Sequence, residues 1–296
     1  MNTEYHKNTT FSNSLDLYFV QCTDYPDVRG KLKMADVFAK FVSQKISKIR
    51  WCPASDHSLQ RSDVFATGSW DNKKNHISLW QVNREESETA LEPQPVSDIE
   101  HNGDVTDLAY VNGQNLVSAS SRGTITCYRQ GQNKVLKAVN SWDNIHHHSN
   151  KRCSCTAIAT KNDGVIATVG EDGRIHILNI EQRDPVRTIN NADSSSMNGV
   201  AYLKQFEIVT VNSIGQLKVW DLRQPDVEPR IFVLTGERTP LHCVSNHPNQ
   251  PHIVATGGQD GKLNIWDMRQ EKFPVTILDG HDANMWELKF HPTSPD

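Results

Sequence analysis

The sequence predicts an all-β fold, a β-propeller made of repeated four-stranded blades. The first observation is a four-residue strand that ends in an aromatic or large apolar residue and occurs five times, at 77–80, 125–128, 175–178, 217–220 and 263–266. The closing residues, at positions 80, 128, 178, 220 and 266, are 42 to 50 residues apart. A blade of four strands repeats at about 40 to 45 residues, so this spacing is typical of a propeller.

The second observation is that the other parts of the repeat stay in register with this strand. In four copies a turn glycine lies five positions before the closing residue: Gly123, Gly173, Gly215 and Gly261. A β-rich run precedes each turn, at 64–69, 116–121, 165–170, 207–212 and 253–258. A further strand lies upstream of each run, at 46–51, 106–110, 156–160, 198–202 and 242–246. Glycine supplies the positive φ of a tight hairpin, and the small and β-branched residues suit buried strands.

The two ends depart from the repeat. Residues 1–33 show no blade pattern, and we expect them to form a flexible N-terminal extension, with an incomplete propeller over residues 34–296. Residues 285–290 are interpreted as the first strand of a sixth blade. The strand-like segment 37–42 is expected to pair with strands that this chain does not contain. The sequence thus predicts five complete blades plus the start of a sixth, and seven blades in a full-length protein from which this chain is a fragment.

Composition excludes several classes of function. Hydrophobic residues make up 36% and charged residues 22% of the chain, and no apolar run approaches the length of a membrane span, about 18 residues. There are 31 basic and 35 acidic residues without a basic block, so we expect neither direct nucleic-acid binding nor membrane insertion. Six cysteines without a Cys-x-x-Cys pair are typical of free thiols in a reducing compartment.

Candidate metal and catalytic sites are weak. His146, His147 and His148 with Cys153 and Cys155 are residue types that bind zinc, but the Cys-x-Cys spacing favours a solvated loop. The acidic turns at 163–164 and 171–173 lack the spacing of a calcium loop. Because phosphate-binding, nucleophile and metalloprotease motifs are also missing, we assign no catalytic, cofactor-binding or metal-binding residue and do not expect an enzyme or a bound cofactor.

Residues 36–296 resemble the WD-repeat propellers. The dipeptide that gives the family its name occurs at Trp220-Asp221 and Trp266-Asp267, while the other three blades depart from it. In such propellers a His, a Ser or Thr, a turn Asp and the Trp can form a buried hydrogen-bond chain. We find no complete copy in the sequence: Asp260, Thr256 and Trp266 lack an evident His, and His101 lacks a turn Asp. We interpret these residues as part of the scaffold.

Two Trp-Asp-x-Arg motifs support an alternative function. In WD-repeat substrate receptors of cullin-RING ubiquitin ligases, an Arg at this place contacts the adaptor. Arg223 and Arg269 occupy it here. The competing interpretation is an exposed Arg that follows a strand and bonds to a neighbouring loop or to water.

A closer resemblance is to the 43-kilodalton WD-repeat nucleoporin family, carried by segments such as 40–48, 65–72, 168–175, 210–218 and 255–261. It implies a structural subunit of the Y-shaped outer-ring complex of the nuclear pore, located in the nucleus. The implied partners are other outer-ring nucleoporins, especially a helical-solenoid subunit of the short arm. The implied roles are pore assembly, transport of mRNA and protein, and kinetochore function in mitosis. We expect the docking surface among the loops 81–104, 129–153 and 223–240 but assign no interface residues.

Overall fold

The computed structural model describes residues 16–21, 36–53, 62–82, 93–149, 151–224, 228–233, 238–270 and 273–291. Most of the expected N-terminal extension lies outside these residues. Within the described residues, no helix offers the length and hydrophobicity needed to cross a membrane.

A two-stranded sheet precedes the blades. Strand β1 (Asp16–Gln21) pairs antiparallel with β2 (Asp36–Phe41), with Phe19 opposite Phe38. The expected pairing of segment 37–42 with strands that this chain does not contain stays a prediction, but the structure gives this segment a partner within the chain. This partner lies inside the segment that we expected to be a flexible extension. Its central residues 17–20 are apolar or aromatic, which suits a strand.

Blades 1 and 2 are four-stranded antiparallel sheets in which consecutive strands are neighbours. Blade 1 contains β3 (Ile46–Trp51), β4 (Val64–Ser69), β5 (Asn75–Val82) and β6 (Pro93–His101). Blade 2 contains β7 (Val105–Tyr110), β8 (Asn115–Ser120), β9 (Ile125–Gln130) and β10 (Leu136–Trp142). A short hairpin of β11 (His147–His148) and β12 (Lys151–Arg152) follows.

Blades 3, 4 and 5 repeat the same order. Blade 3 contains β13 (Cys155–Thr160), β14 (Val165–Gly170), β15 (Ile175–Asn179) and β16 (Arg187–Ile189). Blade 4 contains β17 (Met197–Lys204), β18 (Glu207–Asn212), β19 (Gln216–Asp221) and β20 (Arg230–Val233). Blade 5 contains β21 (Leu241–Asn246), β22 (Ile253–Gly258), β23 (Lys262–Asp267) and β24 (Thr276–Asp279). The predicted all-β propeller with five complete blades is confirmed.

Turn glycines let neighbouring blades approach closely. Gly173 has a φ of +69°, and a Cβ built on it would lie 2.0 Å from the carbonyl oxygen of Asp193. Any side chain there would collide with the loop that enters blade 4. Glycine is required both by its left-handed backbone and by this contact.

The described core consists of five apolar clusters, of which four are each shared by two successive blades and the fifth, Phe65 with Trp80 and Val82, lies in blade 1. The closing residue of β19, Trp220, is 1% exposed and packs with Ala157, Val169 and Ile177 of blade 3. Trp266 of blade 5 packs in the same way against Leu217 and other residues of blade 4. The closing aromatic residues therefore hold one blade to the next, which explains why a large apolar residue recurs at this position.

The five successive blades are called the arc below, and segment 285–290 follows blade 5 at its end. It is irregular rather than a strand, because a strand requires a neighbour with which to form a ladder, and none is present for it among the described residues. Met285 nevertheless donates its backbone N–H to the Gly258 carbonyl (3.0 Å) and is 6% exposed against blade 5. The segment thus lies where the innermost strand of a sixth blade begins.

Candidate functional site: polar links between blades and the central cavity

The first strand of each blade lies at the centre of the molecule, and we call these the innermost strands: β3, β7, β13, β17 and β21. A repeated side-chain hydrogen bond links them. The second residue of each strand donates to the carbonyl oxygen of the first residue of the next strand. The pairs are Ser47 to Val105 (2.6 Å), Thr106 to Cys155 (2.5 Å), Thr156 to Met197 (2.5 Å) and Asn198 to Leu241 (2.8 Å). These short polar side chains bridge backbones that are too far apart to form a ladder.

Outer strands are also linked to the next blade by side-chain hydrogen bonds. Asn140 of blade 2 donates to the Gln182 carbonyl (2.8 Å), and Arg187 of blade 3 donates to the carbonyls of Leu222 and Gln224. Each link caps the turn that follows the third strand of the next blade. Together with the inner links, these bonds fix the orientation of successive blades at both edges.

Blade 3 contains a buried chain of three polar side chains. Nδ1 of His146 lies 2.9 Å from Oδ1 of Asp172, and its Nε2 lies 2.9 Å from the Thr168 hydroxyl. All three side chains are shielded from solvent. Burial by itself would raise the pKa of Asp172, but hydrogen bonds from His146 and from backbone N–H groups outweigh it and lower the pKa. Leu178 stands where a Trp would complete the chain.

The prediction of a solvated loop over the histidines is wrong for His146, which is fully buried. His146 and Asp172 are 26 residues apart in the sequence. Because three histidines are consecutive, the sequence alone does not indicate which of them packs into the blade. Of the other zinc candidates, Cys155 is buried in β13, Cys153 is partly exposed and His148 is exposed. The structure therefore does not bring the predicted histidines and cysteines together as one ligand set in the described part of the chain.

His146, Asp172 and His176 are the described residues with metal-ligand geometry, with ligand atoms within 4.8 Å of one another. Both ring nitrogens of His146 already have hydrogen-bond partners, and the Arg174 guanidinium lies 3.9 Å from Asp172. A cation would have to break these bonds next to an arginine. Burial lowers the pKa of His176 to about 3, so its ring is neutral at physiological pH. The group is best described as an internal support of the blade.

Other blades replace this chain with different polar groups. In blade 2 the ring of His101 contacts the Ser118 hydroxyl (3.0 Å) and the Gly103 carbonyl (2.9 Å). In blade 4 an ion pair between Lys218 and Asp193 (2.8 Å) occupies the equivalent place. The indole N–H groups of three blades donate to a threonine of the second strand: Trp80 to Thr67, Trp220 to Thr210 and Trp266 to Thr256, each 2.9 Å.

The arginines of the two Trp-Asp-x-Arg motifs are bound within their own motifs. Arg223 pairs with Asp221 (2.6 Å) and Arg269 pairs with Asp267 (2.7 Å), each through more than one N–H group. Their side chains are 62% and 68% exposed. The interpretation that each Arg is exposed after its strand fits this geometry, with its own Asp as the partner rather than a neighbouring loop.

The three predicted connecting loops each contain the outer strand of a blade. Segment 81–104 includes β6, 129–153 includes β10 and 223–240 includes β20. These strands are missed because few of their residues are buried and their burial patterns lack a regular alternation. Only the remaining parts of the segments are available as loops.

The innermost strands line a cavity of about 420 Å³ at the centre of the arc. All five inner strands and segment 286–289 contribute to its wall. Trp51 and Trp286 are 49% and 58% exposed, and the Trp286 ring stacks on that of His242 with centroids 4.6 Å apart. The charged side chains in the wall are Lys48, Arg50, Asp107, Glu287 and Lys289.

Glu287 is the centre of this charged group. Its carboxylate lies 2.8 Å from Arg50, 3.3 Å from Lys289 and 3.6 Å from Lys48. Burial alone would raise the pKa of Glu287, but these three cations hold it below its usual value. Burial and the repulsion of Arg50 lower the pKa of Lys289. Asp107 is bound to Arg50 at 2.9 Å and accepts the backbone N–H groups of Leu108 and Ile158.

Comparisons with known proteins agree with this architecture. A family model described as the β-propeller domain of transcription factor IIIC subunit delta matches residues 2–273. Nucleoporin Nup43 of Mus musculus is 49% identical over 276 residues, which is 89% of this chain and 72% of the relative. Nucleoporin Nup43 of Homo sapiens has the same identity and coverage. The nuclear pore complex protein nup43 of Dictyostelium discoideum is 30% identical over 132 residues, 44% of this chain and 31% of that protein.

The match covers 89% of the chain and therefore includes loops and turns as well as strands, whereas the repeat pattern alone is common to many propellers. The predicted resemblance to the 43-kilodalton WD-repeat nucleoporins is confirmed by these relatives. The chain belongs to the β-propeller proteins that the domain model describes and, among them, to the family of Nucleoporin Nup43.

Proposed function

We propose that this protein is a structural subunit of the outer-ring, Y-shaped complex of the nuclear pore. The observation that carries the proposal is its 49% identity to Nucleoporin Nup43 over 89% of the chain. In this role it supports pore assembly, the transport of mRNA and protein, and kinetochore function in mitosis. It acts in the nucleus, at the nuclear pore complex.

The geometry supports a role as a rigid platform. Polar links join successive blades along the inner strands and at two places along the outer strands, in blades 2 and 3, and four shared apolar clusters fill the spaces between sheets. A platform of this kind presents loops in fixed positions to protein partners. It requires no reactive group, and the buried His146–Asp172–Thr168 chain is already satisfied by internal hydrogen bonds.

The partners that this role requires are other outer-ring nucleoporins, especially a helical-solenoid subunit of the short arm. Loop residues in the segments between outer and inner strands are the candidates for contact, since they are held by the blades and lie at the surface.

Affinity purification from cells of the source organism tests the proposal. The tagged protein is expected to recover outer-ring nucleoporins in near-equal amounts. A matched double variant, Arg223→Ala with Arg269→Ala, is expected to recover them equally well, because both arginines are bound within their own motifs. Recovery of a ubiquitin-ligase adaptor that the double variant loses, without nucleoporins, would refute the proposal and support a substrate receptor.

A further inference from the structure

The central cavity has an excess of positive charge at one place. Three cationic side chains, Lys48, Arg50 and Lys289, line it together with two carboxylates, Asp107 and Glu287. The remaining titratable groups in the wall are Tyr110, His242 and Cys243, which add no negative charge at neutral pH. With all five charged groups ionised, the cavity carries one uncompensated positive charge.

The two carboxylates are not equivalent. Asp107 uses one oxygen on Arg50 and on the Leu108 N–H, and the other on the Ile158 N–H, so its function is structural. Glu287 instead shares its carboxylate among three cations. Its position shows that a carboxylate fits between Lys48, Arg50 and Lys289. One carboxylate does not neutralise three cations, even though Asp107 compensates for part of the charge of Arg50.

We propose that this cavity binds an acidic peptide segment of a partner protein, with a carboxylate of the peptide held by Lys48 and Lys289. Lys289 is the more accessible donor, with a side chain 58% exposed, and Lys48 lies deeper at 20%. A second carboxylate between them would make the charge of the cavity zero. The proposal adds a contact to the proposed function and does not depend on it.

The size of the cavity favours a short peptide segment as the occupant. Its volume of 420 Å³ falls within the range of about 300 to 1,000 Å³ that is usual for small-ligand pockets, so it admits a few side chains but not a helix. The exposed rings of Trp51 and Trp286 at the wall offer apolar surface to the residues beside the bound carboxylate. The formal charge of the whole chain is −4, which disfavours a long polyanion such as a nucleic acid outside the cavity.

Fluorescence anisotropy with a fluorescein-labelled hexaglutamate peptide tests the proposal on the intact chain. We expect saturable binding that weakens as salt is raised, and no binding of a labelled hexaglutamine peptide. The double variant Lys48→Gln with Lys289→Gln is expected to bind hexaglutamate about tenfold more weakly. A matched variant, Lys137→Gln with Lys262→Gln, removes the same charge from exposed positions outside the cavity and is expected to bind within about twofold of the wild type.

Three outcomes would overturn the proposal: the wild type shows no saturable binding of hexaglutamate, both double variants lose the same affinity, or the cavity variant keeps its affinity. If a labelled oligodeoxythymidine binds more tightly than hexaglutamate, and the cavity variant loses this binding, the site would be assigned to nucleic acid instead. Thermal unfolding of each variant verifies that it is folded. Failure here leaves the co-purification of nucleoporins unaffected, so the two proposals are tested separately.

Discussion

Nη1 of Arg50 lies 2.8 Å from Oε1 of Glu287, and this ion pair joins the innermost strand of blade 1 to the segment that follows blade 5. The same guanidinium binds Asp107 at 2.9 Å and the Leu108 carbonyl at 2.7 Å, both in blade 2. Arg50 thus connects three parts of the arc that are distant in sequence. The side chains of Arg50 and Asp107 are 15% and 11% exposed, so loss of Arg50 would leave a largely buried carboxylate without its cation.

The first prediction concerns this arginine. Replacing Arg50 by Met keeps much of its length but leaves the Asp107 carboxylate and the Leu108 carbonyl without its donors. We expect the free energy of unfolding to fall by about 2 kcal/mol, measured by urea denaturation. Glu287→Gln is the comparison, and because Glu287 is 39% exposed we expect a loss of less than about 1 kcal/mol. Equal losses of unfolding free energy in the two variants would contradict the role of Arg50 as the link between these three parts of the arc.

The second prediction concerns the turn of blade 3. Gly173→Ala introduces a Cβ at a φ of +69° and 2.0 Å from the Asp193 carbonyl oxygen. We expect it to lower the free energy of unfolding by about 3 kcal/mol, from backbone strain and displacement of the adjoining loop. Gly113→Ala is the control, since its Cβ would meet the Pro53 carbonyl at an ordinary 3.6 Å. A Gly173→Ala protein as stable as the control would show that the turn can move.

The third prediction is a dependence of stability on pH. Burial holds the folded-state pKa of His176 at about 3, below its ordinary value of 6.5. Between these values the unfolded chain takes up a proton that the folded protein does not, so stability falls as the pH decreases. From pH 7 to pH 5 we expect His176 to account for a loss of about 2 kcal/mol in the free energy of unfolding.

Chemical denaturation at both pH values, on His176→Gln and on the exposed-site control His148→Gln, provides the measurement. The His176 variant should show a smaller loss than the wild type, whereas the control should match it. An unchanged pH dependence in the His176 variant would mean that this ring titrates normally in the folded protein.

The fourth prediction concerns the indole bonds. Thr256→Val preserves shape but removes the hydroxyl that accepts the N–H of Trp266, leaving a fully buried donor unpaired. We expect a loss of about 1 to 3 kcal/mol in the free energy of unfolding. Thr276→Val, at an exposed position of the outer strand, is the control and should leave the free energy of unfolding almost unchanged. Urea denaturation of both variants measures the difference. A neutral Thr256→Val would indicate that the indole finds another acceptor.

The blades are predictable from the sequence because their signals are local and repeated. A positive-φ glycine and a closing apolar residue at fixed spacing mark the second and third strands of blades 2 to 5. The outer strands carry no comparable signal: β20 and β24 are largely exposed, so exposure does not distinguish them from loops. Their place is set by pairing with the third strand, which a single sequence does not reveal.

The polar interior is less predictable for a different reason. His146 lies in the segment that connects blades 2 and 3, whereas Asp172 lies in the turn between β14 and β15, so their contact depends on how the connecting segment folds against blade 3. The cavity charges show the same dependence, since Arg50 and Glu287 meet only when the arc is assembled. Residue type indicated what each side chain could do, but the fold determined which partners it has.

The inner-strand hydrogen bonds all run in one direction, from a side chain of one blade to a carbonyl of the blade that follows it in sequence. During synthesis each donor therefore leaves the ribosome before its acceptor, which is made 41 to 58 residues later. The contact between two blades is therefore completed only after the second blade has been synthesised. Assembly of the blades is expected to follow translation with a delay of about one repeat.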